Sequence, residues 1–275
     1  MRLAYVVATP DMSSLPTGWA GEPAETFALL AEIGYQGIEL QVRDPARFDA
    51  ARLAADASGA GLAIVGLSTG PAALTDGLFF TSADPGERRR AVDRARAILD
   101  LAAGYRAHLA IGGIRGFLRW APARETGLRW FRQAIDELLP LAEALGVPLM
   151  LEPQNRYATD YLNTVAETVE FIRGYGSPAL VFEADTYHMA LEERSIPAAL
   201  AHGQLSGAMR HVQVADSNRR CPGRGHLNWA DIVGTLQSTG YHGWLSVECT
   251  QLPDSRTCAR EAHEFLSGFT GACIP

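Results

Sequence analysis

The sequence predicts a single closed (β/α)8 barrel of the TIM-barrel class, spanning residues 1–275 as one domain. Three observations predict it. Eight short apolar runs alternate with eight helical patterns along the chain, the signature of a parallel βα repeat. Most of these runs are near-continuous in apolar residues, as strands covered on both faces must be. The length of 275 residues matches the roughly 250 that such a barrel needs.

The elements follow in order. LAYVVAT (3–9) is strand 1; before Pro10 it is too short for a signal peptide or a membrane span. A helix over 23–33 stops at Gly34, and GIELQV (37–42) is strand 2. A helix over 46–58 stops at Gly59, and LAIVGLST (62–69) is strand 3. A helix over 84–103 leads to AHLAIGG (107–113), strand 4, and a helix over 123–145 stops at Gly146. VPLMLEP (147–153) is strand 5, followed by a helix over 164–174. Thr164 and Glu167 have the spacing of a capping box. ALVFEAD (179–185) is strand 6, with a helix over 196–207, and MRHVQVAD (209–216) is strand 7. Asn228 caps a helix over 228–239 that stops at Gly240; GWLSVEC (243–249) is strand 8, and Asp254 caps a helix over 255–268. The irregular stretches 10–22, 70–83 and 114–122 follow strands 1, 3 and 4. They fall on the C-terminal face of the barrel, where they can wall a pocket.

Composition narrows the function. A net charge of −7, from 24 basic and 31 acidic residues, argues against a nucleic-acid partner, which needs a basic face. No segment reads as a membrane partner. Cys221, Cys249, Cys258 and Cys273 form no CxxC pair and read as reduced thiols of a cytoplasmic protein. Glu87-Arg88-Arg89-Arg90 reads as a solvated helix face.

Four strands carry a residue able to bind a divalent cation: Glu152 on strand 5, Asp185 on strand 6, His211 on strand 7 and Glu248 on strand 8. Parallel strands bring their C-terminal ends to one face, so these four are expected to converge on one metal. Asp and Glu are rarely buried unless paired or metal-bound. Three carboxylates and one imidazole suit Mn²⁺ first, with Co²⁺, Mg²⁺ or Zn²⁺ as alternatives. His188, three residues after Asp185, reads as a ligand, a structural histidine or a substrate donor. Arg219 stands where it can bind a substrate oxygen, or it is a surface arginine. Arg156 reads as a buried partner of barrel acids or a substrate contact. Arg115 and Arg119 read as a solvated loop or as binders of a substrate phosphate or carboxylate.

LEPQNRY (151–157), FEADTYHM (182–189), HVQVADSNRRCPGRGH (211–226) and LSVEC (245–249) resemble the xylose-isomerase-like TIM-barrel superfamily of sugar and sugar-phosphate isomerases and epimerases. The resemblance is strongest to its ketose 3-epimerase branch. It implies one metal held by Glu152, Asp185, His211 and Glu248, with Glu152 and Glu248 as the acid/base pair. It implies that His188 and Arg219 bind substrate, and that the protein is a dimer or tetramer. One departure stands out: where the epimerases carry a glutamate after Asn-Arg-x, this chain has Ala158.

The expected chemistry is proton transfer through a metal-stabilised enediolate of a small ketose, keto-sugar or cyclitol. The alternative is elimination by a lyase or dehydratase of the inosose dehydratase type, which the loss of a substrate contact at Ala158 favours. A more remote alternative is a nuclease of the apurinic-site endonuclease type. That class uses further histidines at the ends of strands 2–4, where this chain reads QVRD, LSTG and IGGIRG.

Overall fold

The structure, a computed structural model, describes residues 1–270, and the side chains of 1–269. Eight parallel strands close into a barrel in sequence order: β1 (Arg2–Ala8), β2 (Gly37–Gln41), β3 (Ala63–Ser68), β4 (His108–Ile111), β5 (Leu149–Leu151), β6 (Leu180–Asp185), β7 (Met209–Val214) and β8 (Trp244–Val247). Register partners of β1 on β8, Arg2 with Trp244 through Tyr5 with Val247, close the ring.

The helices surround it: α1 (Pro23–Ile33), α2 (Ala50–Gly59), α3 (Gly70–Asp76), α4 (Pro85–Tyr105), α5 (Arg124–Leu145), α6 (Val165–Arg173), α7 (Thr186–Glu192), α8 (Ile196–Leu205), α9 (Trp229–Ser238) and α10 (Ser255–Thr270). Most of their start and stop signals work as the sequence predicts, but α2 runs through Gly59 to a cap at Ala60, with the left-handed turn at Gly61. Thr164 and Glu167 form both halves of the capping box on α6. The Asn228 side chain accepts from Asp231 N at the start of α9, and Asp254 accepts from Thr257 N at 2.8 Å. Gly34 and Gly146 end α1 and α5 in the left-handed conformation. Two short helices, α3 and α7, escape the sequence patterns because seven residues span barely two turns.

Alternation along each strand sorts two cores. Outward residues such as Ile38, Leu40, Phe182, Val212 and Val214 join Phe27, Leu30, Ile98 and Phe131 of the helices in one apolar layer. Inward residues of β2, β4, β6 and β7 are Glu39, Gln41, His108, Glu183, Asp185, His211 and Gln213, all buried. A barrel interior is ordinarily filled by bulky aliphatic side chains; this one is filled by polar and charged ones.

Three further expectations resolve here. Arg156 is exposed and pairs with Glu192 at the end of α7, at 2.9 Å, rather than with barrel acids. Arg115 is fully buried; it is neither a solvated loop residue nor open to substrate. Cys221, Cys249 and Cys258 are free buried thiols, and Cys273 lies outside the described residues. No helix among the described residues is long and apolar enough to cross a membrane.

Candidate active site

Glu152 directly follows β5, Asp185 ends β6 and Glu248 directly follows β8, so three carboxylates meet at the C-terminal mouth. All three are buried. Bare backbone at Gly112 makes room for the first: a Cβ there would come within 2.3 Å of Glu152 Oε2. Gln154 Nε2 donates to that oxygen at 2.7 Å. From behind, Arg115 Nη2 donates to the Glu152 carbonyl at 2.6 Å and so fixes the backbone that presents the carboxylate.

Arg219 joins the other two acids. Its Nη1 donates to Asp185 Oδ2 and its Nη2 to Glu248 Oε2, each at 2.6 Å. Glu248 Oε1 accepts from Thr17 at 3.0 Å and from Gln41 at 3.2 Å; the loop after β1 thus reaches into the site. Arg219 itself adopts a φ of +61°, a conformation that costs a non-glycine residue roughly 1–3 kcal/mol. The surroundings hold it there. Thr250 N donates to the Arg219 carbonyl at 2.7 Å, and Asp216 organises the whole loop. The buried Asp216 carboxylate accepts from Ser217 N, Gly223 N, Leu227 N and Trp229 Nε1 at 2.8–3.1 Å.

His188 Nδ1 accepts from the backbone N–H of Asn155 at 3.2 Å, with Asn155 Nδ2 at 2.8 Å. A neutral imidazole that accepts at Nδ1 carries its proton on Nε2. That nitrogen lies 3.4 Å from Glu152 Oε1. The arrangement therefore presents a donor, not a lone pair, to the mouth. Burial keeps His188 neutral by pulling its pKa down to about 4.

Electrostatics separate the carboxylates. Burial, reinforced by the charges of Glu248 and Asp185, pushes the Glu152 carboxyl well above its usual range. Burial lifts Glu248 to about 8 even against Arg219. Asp185 is held low: burial opposes this, but Arg219 and His188 outweigh it.

His211 does not join these three. Its Nε2 lies 3.0 Å from Glu39 Oε2, and it groups with Glu39, His108 and Glu183 while Glu152 groups with Asp185 and His188. The reason is level. His211 is the register partner of Glu183; the partner of Asp185 is Gln213. Gln213 points inward as His211 does, donates from Nε2 to Glu39 Oε1 at 2.6 Å, and leaves its Oε1 buried without a hydrogen-bond partner. Gln213, Gln41, Gln154, Thr17 and Arg115 were not singled out for these contacts from sequence. Inward alternation from Asp185 and His211 was the signal available for Gln213 and Glu183.

The donor set fits a divalent cation. Three buried carboxylates face one bonded guanidinium, that of Arg219. Buried charge in excess of its counter-charge is costly, and a dication supplies the balance. The free Gln213 carbonyl and the unpartnered Gln154 Oε1 are further oxygen donors of the type hard cations take.

Fold and site together define a barrel with a buried, carboxylate-rich cluster at its C-terminal mouth, of a kind that could hold a cation. The chain belongs to the family of xylose isomerase-like TIM barrels, whose pattern matches residues 27–268. An L-ribulose 3-epimerase of Mesorhizobium japonicum is 30% identical over 240 residues, 84% of this chain and 78% of the relative. A D-psicose 3-epimerase of Ruminiclostridium cellulolyticum is 33% identical over 117 residues, 42% of this chain and 39% of the relative. Among solved structures, an L-ribulose 3-epimerase superposes with a TM-score of 0.82 at 26% identity, covering 98% of this chain and 95% of that one.

Proposed function

We propose that the protein is a divalent-metal-dependent epimerase of a small ketose or keto-sugar. The observation that carries the reading is the pair of buried carboxylates, Glu152 and Glu248, at the ends of β5 and β8, separated around the ring by β6 and β7. The named relatives at 30% and 33% identity, both ketose 3-epimerases, support the substrate class.

Glu152, Asp185 and Glu248 would hold the cation, with the Gln213 carbonyl in place of the expected His211 imidazole. When bound, a divalent cation acts as a Lewis acid on a ketone oxygen and its neighbouring hydroxyl and so acidifies the C–H between them. Glu152 and Glu248 address that carbon from two sides of the mouth. One, as carboxylate, takes the proton; the other, as carboxylic acid, returns one to the opposite face, inverting the centre. His188 Nε2–H and Arg219 donate to substrate oxygens and fix the orientation.

A second reading, elimination by a lyase, draws on Ala158. It stands where the epimerases carry a glutamate, and in the structure it lies in the turn that follows Asn155, its N–H donating to the Asn155 carbonyl at 2.9 Å. Incubation with a keto-sugar panel in D₂O separates the two. Deuterium at one carbon of an inverted product supports epimerisation; loss of water without inversion selects the lyase. Leu74, Trp120 and Tyr157, exposed on the segments after β3, β4 and β5, are apolar surface that a homodimer or tetramer would cover, which sedimentation tests.

A further inference from the structure

We propose that Glu39, His108, Glu183 and His211 form a second metal site, sealed in the barrel interior below the mouth, for one borderline divalent cation such as Zn²⁺, Mn²⁺ or Fe²⁺. Four strands supply it: β2, β4, β6 and β7. Every pair among the four candidate ligand atoms lies within 4.8 Å, and all four residues are buried.

The geometry suits one shared ion. Ligands about 2.1 Å from a tetrahedral ion stand about 3.4 Å apart. His211 Nε2 lies 3.0 Å from Glu39 Oε2, and His108 Nε2 lies 3.7 Å from Glu183 Oε2. The His108 and His211 rings sit with centroids 4.6 Å apart, so both imidazoles reach the same space. Two imidazoles and two carboxylates are a donor set that borderline cations take.

Unmet bonding points to the same ion. Both oxygens of Glu183 and the Nε2 of His108 are buried with no hydrogen-bond partner. A carboxyl group deep in a protein is ordinarily hydrogen-bonded, and Glu183 is 0% exposed. Glu39 already has His211 and Gln213 as partners; Glu183 has none. One dication balances the two carboxylates and satisfies Glu183 and His108 together.

The backbone is shaped for the group. Gly66 on β3 is the register partner of both Glu39 and His108. A Cβ at position 66 would fall 2.1 Å from His108 Nε2. Glycine there gives the imidazole its path toward the barrel axis. Burial holds His108 neutral, pulling its pKa to about 3, and a neutral imidazole is the form that binds metal. This site is separate from the cation of the proposed epimerase, and neither depends on the other being right.

Metal counting on the full chain decides the matter. The protein is loaded with Zn²⁺, freed of excess by gel filtration, and its zinc measured by plasma mass spectrometry. At least one equivalent is expected, held by the interior site. The variant Glu152→Gln/Asp185→Asn, which disables the mouth, should keep one, and X-ray absorption of it should show two imidazoles on zinc. Adding Glu183→Gln and His108→Asn to that variant should remove the last equivalent. If the combined variant does not fold, the mouth variant alone decides. Retention of one zinc with two imidazoles supports the site; zinc-free protein overturns it. A single zinc in wild type that the mouth variant loses also overturns it. A single zinc that the mouth variant keeps supports the interior site, the all-oxygen mouth preferring Mn²⁺ or Mg²⁺. Zinc that survives all four substitutions overturns the assignment.

Discussion

Asp185 and Gln213 are register partners on β6 and β7, so a carboxylate and a carboxamide stand side by side at the barrel mouth. Gln213 spends its N–H on Glu39 below and keeps its carbonyl oxygen free. An amide oxygen here makes the mouth an all-oxygen donor set, which favours Mg²⁺ or Mn²⁺ over Zn²⁺.

Replacing Gln213 tests that oxygen. Gln213→Leu should weaken Mn²⁺ binding at the mouth by about 10–100-fold, the usual cost of disturbing a metal's surroundings. Gln213→His should shift selectivity toward Co²⁺ or Zn²⁺. Isothermal titration with each metal measures both; unchanged Mn²⁺ affinity in Gln213→Leu would refute a role as ligand.

Removing the metal should abolish turnover. Dialysis against a chelator is expected to leave no measurable epimerisation, with Mn²⁺ or Co²⁺ restoring it. Full activity in a preparation shown to be metal-free by elemental analysis would end the proposed mechanism.

Substituting each glutamate in turn tests the proposed division of the proton transfer. Glu152→Gln and Glu248→Gln should each lower kcat by about 10²–10⁴-fold, more than they change substrate affinity. In D₂O, each single variant should lose inversion, while one still exchanges the substrate C–H on the face its surviving carboxylate addresses. If one variant loses exchange entirely and the other behaves nearly as wild type with saturating metal, a single base is at work.

Asp216 should set acid stability. Burial alone would raise its carboxyl, but hydrogen bonds from Trp229, Ser217 and Leu227 hold it below the usual carboxylate range. A lowered carboxylate contributes stability above the unfolded value, about 3.9, and loses it as pH falls through the folded value. Asp216→Asn should therefore be less stable at pH 7, by about 1–3 kcal/mol for buried donors left unpaired. It should also show a shallower loss of stability below pH ~4. Parallel curves for variant and wild type would contradict this.

Ala158→Glu asks whether the missing carboxylate limits the substrate range. In a folded, metal-loaded variant, activity on free ketoses should rise. No gain would mean that the pocket is built for another substrate.

Much of this was legible in sequence because the barrel repeats one local rule. Apolar runs gave the strands, caps gave the helix ends, and Glu152, Asp185 and Glu248 sit at the strand ends where the repeat puts them. His211 shows where such reading stops. His211 and Gln213 point to the same face, so alternation cannot say which one meets Asp185. The answer lies in a register shift between Phe182 and Glu183, which moves β7 by one residue against β6. Nothing in either strand alone announces it. Arg156 and Arg115 were misplaced for a related reason: their partners, Glu192 and the Glu152 carbonyl, are set by tertiary contacts between loops.

The knot of hydrogen bonds on Asp216 has a consequence for how the enzyme can change its diet. The wall that bears Arg219 is cast in one shape, and remodelling it breaks several buried bonds at once. The facing wall, built from the stretches after β1, β3 and β4, touches Glu248 through Thr17 and the Glu152 carbonyl through Arg115. New substrate preferences, whether acquired by descent or by laboratory selection, should accumulate on that side and spare residues 216–229.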